Sequence, residues 1–90
     1  MLGPIMPAAT RSYCVLLLTE SGVRLHSSHR DSGPEFTAYR AAEAPVALVR
    51  VDDRMAMPCT VLAAKGGPSA AQLQADAGFR RTARELAGHE

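Results

Sequence analysis

Tyr13-Cys14-Val15-Leu16-Leu17-Leu18 is the longest apolar run in the chain. It is apolar at odd and even positions alike, whereas a strand with one wet face alternates. The run is much shorter than the roughly 20 residues of a membrane span. The pattern therefore predicts a β-strand covered on both faces. What covers the second face decides the architecture.

Downstream of this strand (Arg11 to Leu18), Thr19-Glu20-Ser21-Gly22 has the composition of a tight loop, with Gly22 suited to a positive φ. Val23-Arg24-Leu25-His26-Ser27 then alternates. The two segments predict a hairpin with Val23 and Leu25 toward the core and Arg24 and His26 outward. Ser28 to Glu35 is rich in polar and turn residues and reads as a loop. Phe36 to Ala41 carries two of the four aromatics and is expected as a third strand, followed by a loop that Pro45 terminates. Val46 to Val51 is rich in β-branched residues and reads as a strand. Asp52-Asp53-Arg54 reads as a turn, and Met57 to Ala63 as a returning strand with Pro58 near its start.

Lys65-Gly66-Gly67-Pro68 ends that strand, and Ser69 is placed to cap a helix over Ala70 to Ala87. Leu73, Phe79, Ala83 and Leu86 share its apolar stripe. Gly78 weakens that helix by about 1 kcal/mol relative to Ala, so a kink or late start is expected there. Upstream, Met1 to Thr10 contains Gly3, Pro4 and Pro7 and is expected to be a flexible arm. The expected fold class is α+β: one domain over residues 11–90, with an antiparallel sheet of four or five strands. One C-terminal helix packs on one face. About 18 helical residues span about 27 Å, so the other face is left without a helix.

Composition narrows the function. Ninety residues with 16 alanines, 4% aromatics and no Trp can bury only a thin core. Arginine outnumbers lysine nine to one, a bias expected of a GC-rich bacterial or phage genome. A net charge of +1 does not fit a general nucleic-acid coat. Two cysteines are too few for a disulfide framework, and their apolar neighbours predict buried free thiols. No secretory signal pattern is read at the start, so a cytoplasmic location without membrane attachment is expected.

Four groups of residues could carry chemistry. His26-Ser27-Ser28-His29 with Cys14 and Cys59 has zinc-ligand types but no Cys-x-x-Cys spacing, so solvated histidines and core thiols are favoured. Cys59 with His26, His29 and Asp31 would need a base within reach and a cleft, and neither is signalled. Lys65 to Ser69 joins a strand to a helix start, where an anion could sit, but its lysine precedes the glycines, unlike a P-loop. Arg80, Arg81 and Arg84 could contact phosphates from the helix. Asp52-Asp53 reads as turn chemistry.

These features favour a small non-enzymatic protein-interaction module with no catalytic residue, metal or cofactor. It would be an adaptor or inhibitor, of a kind that phages and other mobile elements encode, and a homodimer is its simplest form. Tyr13, Val15 and Leu17 are the expected contact residues, on the strand face lacking a helix. The alternative is a nucleic-acid-binding regulator using Arg80, Arg81 and Arg84.

Overall fold

A computed structural model describes residues 11–88; the arm expected over residues 1–10 lies outside them. Four strands form one sheet: β1 (Arg11–Thr19), β2 (Gly22–His29), β3 (Val46–Asp52) and β4 (Cys59–Lys65). Their order is β2-β1-β3-β4, with every neighbouring pair antiparallel. Three helices accompany the sheet: α1 (Ser32–Ala41), α2 (Ala70–Ala75) and α3 (Ala77–Leu86). The class is α+β. The apolar run lies in β1, a central strand.

The two sides of β1 enter two separate cores. Cys14 and Leu16 join Ala47, Val49, Leu73, Phe79 and Ala83 in the larger one, beneath α2 and α3. Val15 joins Val46 and Leu48 in the smaller one, where Ala38, Tyr39 and Ala42 from α1 and its C-terminal cap pack on them. Each fully buried Val or Leu contributes about 1.5–3 kcal/mol. The all-apolar sequence of β1 thus has a direct cause: both of its faces are dry.

This corrects the expectation of a single helix on a single face. Residues 36–41 are not a strand; they belong to α1, and the supposed loop before them contains the end of β2 and the helix start. Asp31 is the N-cap in an extended conformation, without a side-chain cap bond. Pro34 falls in the first turn, where its missing N–H costs nothing. Glu35 sits in that same turn, next to the positive end of the helix dipole. The chain leaves α1 at Ala42, whose N–H donates to the carbonyls of Ala38 and Tyr39 before the backbone turns extended. Because β2 and β3 both run antiparallel to β1, they are parallel to each other, and α1 is the crossover that parallel strands require.

The C-terminal helix is also two pieces. Ser69 caps α2 through a capping box in which its hydroxyl accepts from Gln72 N–H and Gln72 Oε1 accepts from Ser69 N–H. At Asp76 the backbone turns extended (φ −92°, ψ 105°), and its carboxylate accepts from Phe79 N–H at 3.1 Å. Asp76 thus ends α2 and starts α3, so the break falls two residues before Gly78.

The α2 segment is tied to the outer edge of β4. Val61 N–H donates to Gln74 Oε1 at 2.7 Å, and Gln74 Nε2 donates to the Cys59 carbonyl at 3.0 Å. One side chain imitates a neighbouring strand there, which removes two free pairing groups from the edge.

A tight contact closes the opposite end. The Ala44–Pro45 peptide is cis, and the Pro45 carbonyl accepts from Leu18 N–H at 3.0 Å. Gly66, at φ +78°, lies against this loop, and a Cβ there would clash with Ala44 Cβ. Gly66→Ala is expected to cost on the order of 2–4 kcal/mol, combining left-handed strain with overpacking. A urea unfolding curve gives the value. A loss below about 0.5 kcal/mol would mean that the 44–45 loop does not pack on Gly66.

Candidate protein-contact surface

The helix α1 packs on the part of its sheet face formed by Val15, Val46 and Leu48. Near its start, the Ser27 hydroxyl of β2 donates to the buried Glu35 carboxylate, with oxygen separations of 2.8 and 3.1 Å. Near its end, Lys65 Nζ of β4 donates to the Arg40 carbonyl at 3.3 Å and lies 4.9 Å from the Tyr39 ring centroid. Its path therefore runs above two cross-strand rows, the one through Val15 and Leu48 and the one through Leu17 and Val46.

The next row on this face is not part of that core. Strand register places His29, Tyr13, Arg50 and Thr60 side by side across β2, β1, β3 and β4. Alternation puts all four on the α1 side of the sheet, since Cys14, Val49, Val51, Cys59 and Val61 point to the other. Tyr13, Arg50 and Thr60 are half-buried and His29 is exposed. Arg50 donates to the Thr60 hydroxyl over a long 3.4 Å. Arg11 is exposed, and its guanidinium carbon lies 5.9 Å from the Tyr13 ring centroid. Among the described residues, neither Arg11 nor Arg50 has an ion-pair partner. Asp52, opposite Arg11 in register, is instead held by Arg54 at 3.1 Å. Those hydrogen bonds keep the Asp52 carboxyl below the usual carboxylate range. Exposed Met55 and Met57 lie in the β3–β4 connection at this end of the sheet.

The three expected contact residues therefore have different fates. Val15 is fully buried under α1, Leu17 is half-buried against the same core, and Tyr13 lies beyond the helix. Arg50, Arg11 and His29 were not among the expected contact residues; the signal that could have shown them is the strand pairing that brings Arg50 opposite Tyr13.

The other candidates scatter. Among the described residues no group of three or more His, Cys, Asp or Glu could hold a metal ion. Cys14 and Cys59 are free and buried on the α2/α3 side, and burial pushes both thiols up from their ordinary value. His26 is exposed at the irregularity of β2. Of the helix arginines, Arg80 donates to the Gln74 carbonyl, Arg84 pairs with Asp53 at 3.1 Å, and Arg81 is the exposed one. Two open grooves flank the β1–β2 turn. One of about 450 Å³ includes Leu18, Val23, Leu73 and Phe79. The other, of about 460 Å³, includes Leu17, His26, Ala42 and Pro45. Neither groove is lined by a cysteine. Among the described residues no helix is long and apolar enough to cross a membrane.

No family model, curated protein or solved structure matches the chain.

Proposed function

We propose that the chain is a small non-enzymatic protein-interaction module. Its contact surface is the half of the sheet face beyond α1, centred on Tyr13 and Arg50. The observation that carries this reading is that pair of register partners, half-buried on the α1 side of the sheet but outside the core on which α1 packs. Tyrosine, arginine and methionine are the residue types enriched in protein interfaces, and Tyr and Arg dominate binding hot spots.

Other surfaces give less support. The β4 edge is occupied by Gln74. The β2 edge carries Arg24, His26 and His29 and a register shift, features that discourage strand addition. A two-fold dimer through the Tyr13 face would set its cations against their own copies, so a homodimer is less favoured than a different chain. A nucleic-acid contact through the helix would rely on Arg81, since Arg80 and Arg84 already have partners within the chain.

The test is affinity capture from cells of the source, comparing wild type with Tyr13→Ala and Arg81→Ala. The expected result is a protein retained by wild type and Arg81→Ala and lost from Tyr13→Ala. Equal retention on all three would overturn the placement of the surface.

A further inference from the structure

We infer that the occupant of this surface is an acidic, extended segment of another protein chain. The inference rests on the reading of the Tyr13 face as the contact surface and adds the chemistry of what binds there. The face offers Arg11, Arg50 and His29 around one aromatic ring. The carboxylates nearest Arg50 in the chain each have an arginine partner, Asp52 in Arg54 and Asp53 in Arg84, and Asp52 also feels the charge of Arg11. Arg50, which has no ion-pair partner among the described residues, is placed for bidentate capture of a carboxylate. Arg50 and Tyr13 sit on adjacent strands in register, so a carboxylate and an apolar side chain would be received next to each other. An extended segment with an acidic residue at one position and an apolar residue two positions on presents that pairing on one face.

Two alternatives fit this surface less well. A second copy meeting this face with the same face brings arginines toward arginines. A single nucleic-acid strand would also answer the positive charge, but the Arg11 guanidinium already lies over the Tyr13 ring on which a base would stack.

The test is fluorescence anisotropy on the full chain with three probes: an extended peptide of Glu-Ser-Leu-Ser repeats, which sets Glu and Leu on one face, the same peptide with Gln for Glu, and a single-stranded RNA. Wild type, Tyr13→Ala, Arg50→Glu and the control Arg81→Glu are compared, with folding of each checked by circular dichroism. The expected result is binding of the acidic peptide that weakens as salt rises, at least about tenfold loss in Arg50→Glu and little change in Arg81→Glu. Equal binding of the Gln peptide, lost in Tyr13→Ala, would overturn the acidic preference while leaving the surface in place. Acidic-peptide binding that neither Tyr13→Ala nor Arg50→Glu alters would overturn the surface itself. Tighter binding of the RNA, or no binding of the acidic peptide, would overturn the inference.

Discussion

Val15→Asp is expected to abolish folding, while Tyr13→Asp, two residues away on the same face of the same strand, leaves a folded chain. Val15 is 0% exposed and packs with Val46 and Leu48 beneath α1. A carboxylate there would lie among apolar side chains and beside Ser27, whose hydroxyl already donates to the buried Glu35 carboxylate, and burying it costs several kcal/mol. Stability of a domain this size is about 5–15 kcal/mol, so one such charge removes much or all of it. Tyr13 lies past the helix, where a charged side chain reaches water. Far-UV circular dichroism and a urea titration on both variants check this contrast. A Val15→Asp protein that stays cooperative and folded would mean that α1 does not close over β1. An unfolded Tyr13→Asp protein would mean that the open half-face is in fact core.

The second large effect is on the other face. Phe79→Ala is expected to cost about 3–5 kcal/mol, the range for removing a buried aromatic side chain. Phe79 is 7% exposed and is the largest side chain that α3 places in the main core, beside Leu73 and Ala83. With a urea m-value of about 1 kcal/mol/M, the unfolding midpoint falls by about 3–5 M or the chain is unfolded in water. Asp76→Ala, which removes only the α3 cap, is the milder comparison at about 1 kcal/mol. A Phe79→Ala loss no larger than the cap loss would contradict the anchoring of α3 on the sheet.

The hairpin, the strands at Val46 and Cys59, the Ser69 cap and the α+β class were legible in the sequence because each rests on a local signal. Alternation fixes Val23 and Arg24 to opposite faces, β-branching marks Val46 to Val51, and Ser69 with Gln72 forms a capping box. The apolar run also carried its main message, that β1 has two covered faces. What covered the second face was not legible. Asp31-Ser32-Gly33-Pro34 resembles a turn, and Phe36 and Tyr39 resemble strand aromatics. Yet Pro34 is compatible with a first helical turn, and the buried side of α1 uses only Glu35, Ala38, Tyr39 and Ala42. Two alanines make a faint stripe, so α1 is held by the sheet beneath it more than by its own periodicity. That error moved Val15 from the core to an expected interface.

The candidate surface was half visible. Tyr13 could be singled out at the end of the apolar run, but Arg50 is paired with it only by the β1–β3 register, which sequence does not specify. The loss of Arg80 and Arg84 as a free patch was hidden for the same reason: their partners, the Gln74 carbonyl and Asp53, depend on how α3 lies against α2 and the β3–β4 turn.

Everything proposed for the surface depends on α1 covering Val15 and stopping short of Tyr13. Methyl and aromatic nuclear Overhauser contacts in a labelled sample test this most directly. The account predicts contacts from the Ala38 and Ala42 methyls to the methyls of Val15, Val46 and Leu48, helical contacts along residues 32–41, and none from α1 to the Tyr13 ring. Strand-type contacts along residues 36–41, or an Ala38 methyl with no neighbour on the sheet, would contradict it.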